Sequence, residues 1–188
     1  MLFETRSGIH ISNQRGMSMK IRQFGHVAFR CSDLDASLAF YRDRLGFLEK
    51  FRLTYGDYIE AVRRSAETSG QPVDQAFIGK LEAKRDKIWI IYLELGNGSF
   101  IELFDKEDAT TPNPPKNEHF NYLHFALEVE DIHALKEELL QKGVEIDRGP
   151  TLGVEGTWQM WTHDPDGNQI EWMQYTEASM QLIGRYTI

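Results

Sequence analysis

The chain is short of three things: cysteine, positive charge and long apolar runs. One thiol, Cys31, in 188 residues excludes a disulfide framework within the chain and fits a reducing compartment. The longest apolar run, Ile88 to Leu93, is strand-sized and well below the roughly 18 residues of a membrane span, so no membrane partner is expected. The first 19 residues lack the apolar centre of a secretory signal, which makes a cytoplasmic location the expectation. With 29 acidic against 21 basic residues the formal charge is −8. That balance repels phosphate and leaves no basic stripe, so no nucleic-acid partner is expected.

What is present is apolar and aromatic: 41% of residues are hydrophobic and 12% aromatic, enough for one domain or two small modules with a real core. The most informative stretch runs from Asp164 to Tyr175. Asp164-Pro165-Asp166-Gly167 is turn chemistry, because Pro fixes φ, Asp bonds nearby amides and Gly accepts positive φ. Gln169 to Tyr175 then alternates polar and apolar, as a half-buried strand does, with Gln169, Glu171 and Met173 on one face. The phrase Gly98-Ser99-Phe100-Ile101-Glu102 parallels Gly167-Asn168-Gln169-Ile170-Glu171, which points to a duplicated module.

The rest of the chain obeys that duplication. Gln23 to Cys31 reads as a strand with Val27 and Phe29 on one face and His26, Ala28 and Arg30 on the other. Ser32 is the expected N-cap, with Asp35 three residues on. Leu34, Leu38, Tyr41 and Leu45 follow helical spacing up to Gly46. Strands are expected at 47–54, 87–95 and 99–105. Between them, Tyr55, Ile59, Val62 and Ala66 suggest an amphipathic helix closed near Gly70, while 73–86 has no clear period. In the second half, 122–129 is a strand with His124, Ala126 and Glu128 on one face. Asp131 caps a helix ending at Gly143, and strands follow at 145–151, 157–163 and 168–175.

The first strands of the two halves align at an offset of 98, through Gly25-His26-Val27-Ala28 and Leu123-His124-Phe125-Ala126. From His26 to Glu102 is 76 residues and from His124 to Glu171 is 47, so the first copy holds 29 extra, assigned to about 55–86. The expected organisation is an N-terminal extension at 1–19, a first module at 20–105, a linker at 106–119, a second module at 120–176 and a tail at 177–188. A long insertion in a compact fold is often functional, and 55–86 is a candidate lid.

Each copy supplies one His on its first strand and one Glu on its last: His26 with Glu102, and His124 with Glu171. Taken singly these are ordinary strand residues. Two carboxylates about 4 Å apart in a cleft repel by about 4 kcal/mol at an effective dielectric of about 20, so together they need a shared proton or a cation. Two imidazoles in the same place favour a divalent metal ion. Ni, Zn, Co and Mn all suit that donor set. Trp158 and Trp161, three apart on one strand, face opposite ways, and one of them is a candidate wall of the cleft. His163 reads as structural or exposed, and His133 and His119 as solvent-facing.

Three motifs, Gly25-His26-Val27-Ala28-Phe29-Arg30…Asp33, His124-Phe125-Ala126 and Asp164-Pro165-Asp166-Gly167-Asn168-Gln169-Ile170-Glu171, resemble the vicinal oxygen chelate superfamily. That group includes glyoxalase I, methylmalonyl-CoA epimerase, extradiol dioxygenases and fosfomycin or bleomycin resistance proteins. The resemblance covers 20–105 and 120–176. It implies an α+β fold of two βαβββ modules, whose curved sheets surround a metal-binding cup. It also implies a homodimer, with the cup formed within one chain or across two, and a small-molecule substrate bearing adjacent oxygens.

The set His26, Glu102, His124 and Glu171 is similar to the metal ligands of bacterial glyoxalase I. The implied activity is a lyase or isomerase that moves a proton next to a carbonyl through a metal-stabilised enediolate. Glu171 is then the preferred base and Glu102 the alternative. Arg30, four residues after the first ligand, matches the glyoxalase Arg that holds the glutathione carboxylate. Lys106 and Phe120 stand where that pattern has Asn and Arg. An epimerase, an extradiol-type dioxygenase and a small-molecule-binding resistance protein are the alternatives within the same resemblance.

Overall fold

A computed structural model describes residues 23–96, 98–107, 109 and 122–184. The extension at 1–19, most of the 106–119 linker, Phe120 and the end of the tail lie outside the described residues.

The first module begins with β1 (His26–Cys31) and α1 (Leu34–Leu38), which continues as a π-helical turn over Ala39–Arg44. Then come β2 (Leu48–Thr54), α2 (Tyr55–Ser69), α3 (Gln75–Glu82), β3 (Ile88–Glu94) and β4 (Phe100–Asp105). The second module holds β5 (His124–Glu128), α4 (Ile132–Gln141), β6 (Arg148–Leu152), β7 (Trp158–His163) and β8 (Gln169–Gln174), followed by the short α5 (Met180–Ile183). The two sheets have the same order, β1-β4-β3-β2 and β5-β8-β7-β6. In each, the first strand runs parallel to the last and the other pairs are antiparallel. The strand–helix–three-strand repeat is therefore present twice, and the sheets remain open. No described helix is long and apolar enough to cross a membrane.

The helix caps follow local chemistry. The first helix is capped by Asp33, whose carboxylate accepts from the Ala36 amide at 3.0 Å, and not by Ser32 as the spacing predicts. The Ser32 amide donates to the Asp166 carboxylate of the other module at 3.1 Å, and the helix starts one residue later than expected. Asp131 caps α4 as expected, accepting from the amides of His133 and Ala134.

The extra residues of the first copy form a helical pair. Thr54 and Asp57 make a reciprocal capping box at the start of α2, and Gly70 at φ +67° ends it in the left-handed region that Gly tolerates best. The unreadable stretch after Pro72 contains α3, capped by Asp74. Tyr55, Ile59, Ile78 and Leu81 form a small core of their own, onto which Tyr58, Val62, Val73 and Trp89 pack. Tyr58 stacks on Trp89 with ring centroids 4.1 Å apart.

One apolar core joins the two modules. Phe29, Tyr41, Ile91, Leu93, Ile101 and Leu103 from the first cluster with Ile132, Leu139, Met160, Ile170 and Trp172 from the second. Phe29 meets Phe125 at 5.5 Å. Because strand side chains alternate, burying Val27, Phe29 and Cys31 turns His26, Ala28 and Arg30 away from that core. Burying Ile170 and Trp172 does the same to Gln169, Glu171 and Met173. Within one chain, then, the modules share their apolar backs and present their polar faces outward.

Candidate metal and acid–base site

The two halves build the same local arrangement. In the first, Glu102 on β4 lies between Ala28 of β1 and Tyr92 of β3, and its Oε1 is 3.4 Å from His26 Nδ1. In the second, Glu171 on β8 lies between Ala126 of β5 and Trp161 of β7, and its Oε2 is 3.0 Å from His124 Nε2. Both carboxylates are about as hidden as core residues, 6% exposed each. Their imidazoles are more open, with side chains 55% exposed at His26 and 31% at His124.

A buried carboxylate needs a counter-charge or a proton. Among the described residues, neither Glu102 nor Glu171 has a Lys or Arg within ion-pair distance; each has one imidazole. Burial raises the Glu171 pKa, opposed by His124 and in part by Arg148, and assisted by the negative charge of Glu155. On the first half, Tyr92 feels the reciprocal effect: burial and then the nearby Glu102 raise its phenol.

The structure brings the four predicted donors together in two pairs. It does not gather all four in one chain: no three of its described His, Cys, Asp or Glu side chains are placed to hold one metal ion. The donor types still fit a divalent cation, since two neutral imidazoles and two carboxylates are ligands such ions take, and the two negative charges cancel its charge. Arg30 is exposed on the same face of β1 as His26, opposite Phe104 of β4. His163, read as structural, pairs through Nδ1 with Asp147 at 2.8 Å, and His133 packs against Trp158 at 5.1 Å.

Trp161 is the member of the tryptophan pair that sits beside the His124–Glu171 pair. His124 meets its ring edge-on at 4.7 Å, and Arg148 lies over it at 4.9 Å. Its indole N–H is buried without an acceptor among the described residues. Arg148 and Tyr92 were not singled out from the sequence, because their place beside the carboxylates depends on strand register, which spacing alone does not give. The one sequence signal for both was their position on the strands that follow the helical segments.

The chain is similar in sequence and fold to known proteins. A probable lactoylglutathione lyase of Synechocystis sp. is 30% identical over 150 residues, 79% of this chain and 92% of that protein. Metallothiol transferase FosB of Staphylococcus epidermidis is 24% identical over 156 residues, covering 81% and 82%. The crystal structure of a glyoxalase family protein from Enterococcus faecalis has a TM-score of 0.59 at 22% identity, over 82% of this chain and 99% of that one, and so shares the fold. A family model described as Glyoxalase/Bleomycin resistance protein/Dioxygenase superfamily matches residues 23–172, spanning both His–Glu pairs, and the chain belongs to that superfamily.

Proposed function

We propose that the protein is a metal-dependent lyase or isomerase of the glyoxalase I type, with its site shared between two copies of the chain. The observation that supports this most is the repeated placement of a buried Glu beside a His, Glu102 with His26 and Glu171 with His124, at matching register positions. Each face offers two donors and points away from the core that joins the modules. A first-module face of one chain against a second-module face of its partner completes the set of four.

His26, Glu102, His124 and Glu171 would hold the divalent ion. When bound, it supplies Lewis-acid stabilisation of negative charge developing on two adjacent substrate oxygens. The protein's own part is proton transfer. Glu171, buried and held beside His124, takes the proton from the carbon next to the carbonyl and returns it to the neighbouring carbon. Glu102 is the alternative base, and Arg30 binds an anionic group of the substrate. The buried setting of both carboxylates limits access of water to that step.

The test is metal analysis of the purified protein followed by turnover of the hemithioacetal of methylglyoxal and glutathione. The expected result is a bound divalent ion and turnover that falls at least about a hundredfold in Glu171→Gln with metal retained. Protein that binds no divalent ion overturns the reading. Unchanged turnover in Glu171→Gln removes Glu171 as the base.

A further inference from the structure

The repeat makes one more comparison possible. Across the first sheet, one row of side chains runs Ala28, Glu102, Tyr92, Phe51. Across the second, the matching row runs Ala126, Glu171, Trp161, Arg148. The first three positions are of the same kind in both rows: a small residue, the buried carboxylate and a large aromatic. The fourth differs in charge. Phe51 stacks on Tyr92 with centroids 4.2 Å apart and planes at 20°, while Arg148 lies over the Trp161 ring at 4.9 Å.

That substitution gives the two faces different chemistry at the same position in the row, two strands from the carboxylate. The first ends in an aromatic pair, with Phe51 44% exposed. The second ends in a guanidinium that is exposed, placed over an aromatic ring, and without a carboxylate in ion-pair distance among the described residues. A guanidinium fixed in this way keeps its N–H fork available for a planar anion and loses little rotamer freedom on binding. The backbone beside it is tightly placed: at Gly149, φ +93°, an added Cβ would stand 2.4 Å from the Gln159 carbonyl oxygen. A register shift between Arg148 and Thr151 accompanies that approach and leaves Arg148 opposite Trp161.

Resting on the functional reading above, we propose that Arg148 clamps a carboxylate of the substrate, while Phe51 and Tyr92 receive its apolar, aryl-bearing end. The substrate class is then an aromatic or similarly flat organic acid with adjacent oxygens. Arg30 sits on the other module, off this row, and is the rival anion site.

Binding calorimetry on the metal-loaded full-length protein tests this with two probes, phenylglyoxylate and the uncharged 1-phenyl-1,2-propanedione. Arg148→Gln is expected to weaken phenylglyoxylate at least about tenfold and leave the dione unchanged, with Arg148→Lys recovering part of the loss. Phe51→Ala is expected to weaken both probes. Equal phenylglyoxylate affinity in wild type and Arg148→Gln overturns the proposal, as does loss of the anion preference in Arg30→Gln alone. A wild-type protein that binds neither probe also overturns it. The metal content of the same samples separates the two claims: metal bound without anion discrimination refutes the clamp alone, and no metal refutes the underlying reading.

Discussion

The Tyr41 hydroxyl donates a hydrogen bond to the Asp164 carboxylate at 2.9 Å, tying the first helix to the turn that precedes β8. Both groups are buried, and Asp164 also accepts from the amides of Asp166 and Asn168 and from the Asn168 side chain. The turn that orients Glu171 is thus fastened to the opposite module.

Tyr41→Phe leaves Asp164 with one donor fewer and is expected to cost about 1–3 kcal/mol. The loss depends on pH. Burial holds the Asp164 pKa above its ordinary value, against the pull of Asn168 and Tyr41. The folded chain therefore binds that proton more tightly than the unfolded one. The stability it contributes is complete below the unfolded carboxylate pKa and is lost as pH rises through the folded value. Removing the Tyr41 donor disfavours the ionised form, so the gap between wild type and Tyr41→Phe should widen from acid to neutral pH. Urea midpoints measured across that range check it; a constant gap would contradict the assignment.

Cys31 lies in the shared core, 2% exposed, and burial pushes its thiol pKa up to about 12. A thiolate is the reactive form, so the native protein should not react with a thiol-specific disulfide reagent at mildly alkaline pH and should react once on unfolding. Rapid native labelling would show that the backs of the modules do not pack together.

The 55–82 insertion has its own core and should open separately. Ile59 is fully buried within it, and Ile59→Ala is expected to cost about 2–5 kcal/mol locally. Hydrogen exchange should speed up in α2 and α3 and stay unchanged in β5 to β8. Uniform acceleration would mean that the insertion is part of the main core.

The faces of β1, β5 and β8 and the His–Glu pattern are legible because those strands alternate and the two copies repeat. Asp131, Gly46 and Gly70 marked helix ends through side-chain and backbone chemistry that acts within a few residues. The exceptions all involve distant partners. Asp33 caps in place of Ser32, whose amide bonds Asp166, 134 positions away. Helix α3 was unreadable because its apolar residues answer to the private core around Ile59 and Trp89. Arg148 carries no sequence signal of its own, because only the strand register sets it opposite Trp161. The separation of the four donors into two pairs follows from which faces the modules bury against each other, which no local pattern records.

In the proposed function, one ion is held by the first module of one chain and the second module of another. Mixing Glu102→Ala protein with Glu171→Ala protein, each without metal and inactive alone, tests it most directly. In a mixed dimer with shared sites, one site takes both substitutions and the other takes none. Metal content and activity should then return to about a quarter of wild type after random exchange of subunits. If each chain held its own ion, every site in the mixture would still lack one carboxylate, and exchange would restore nothing.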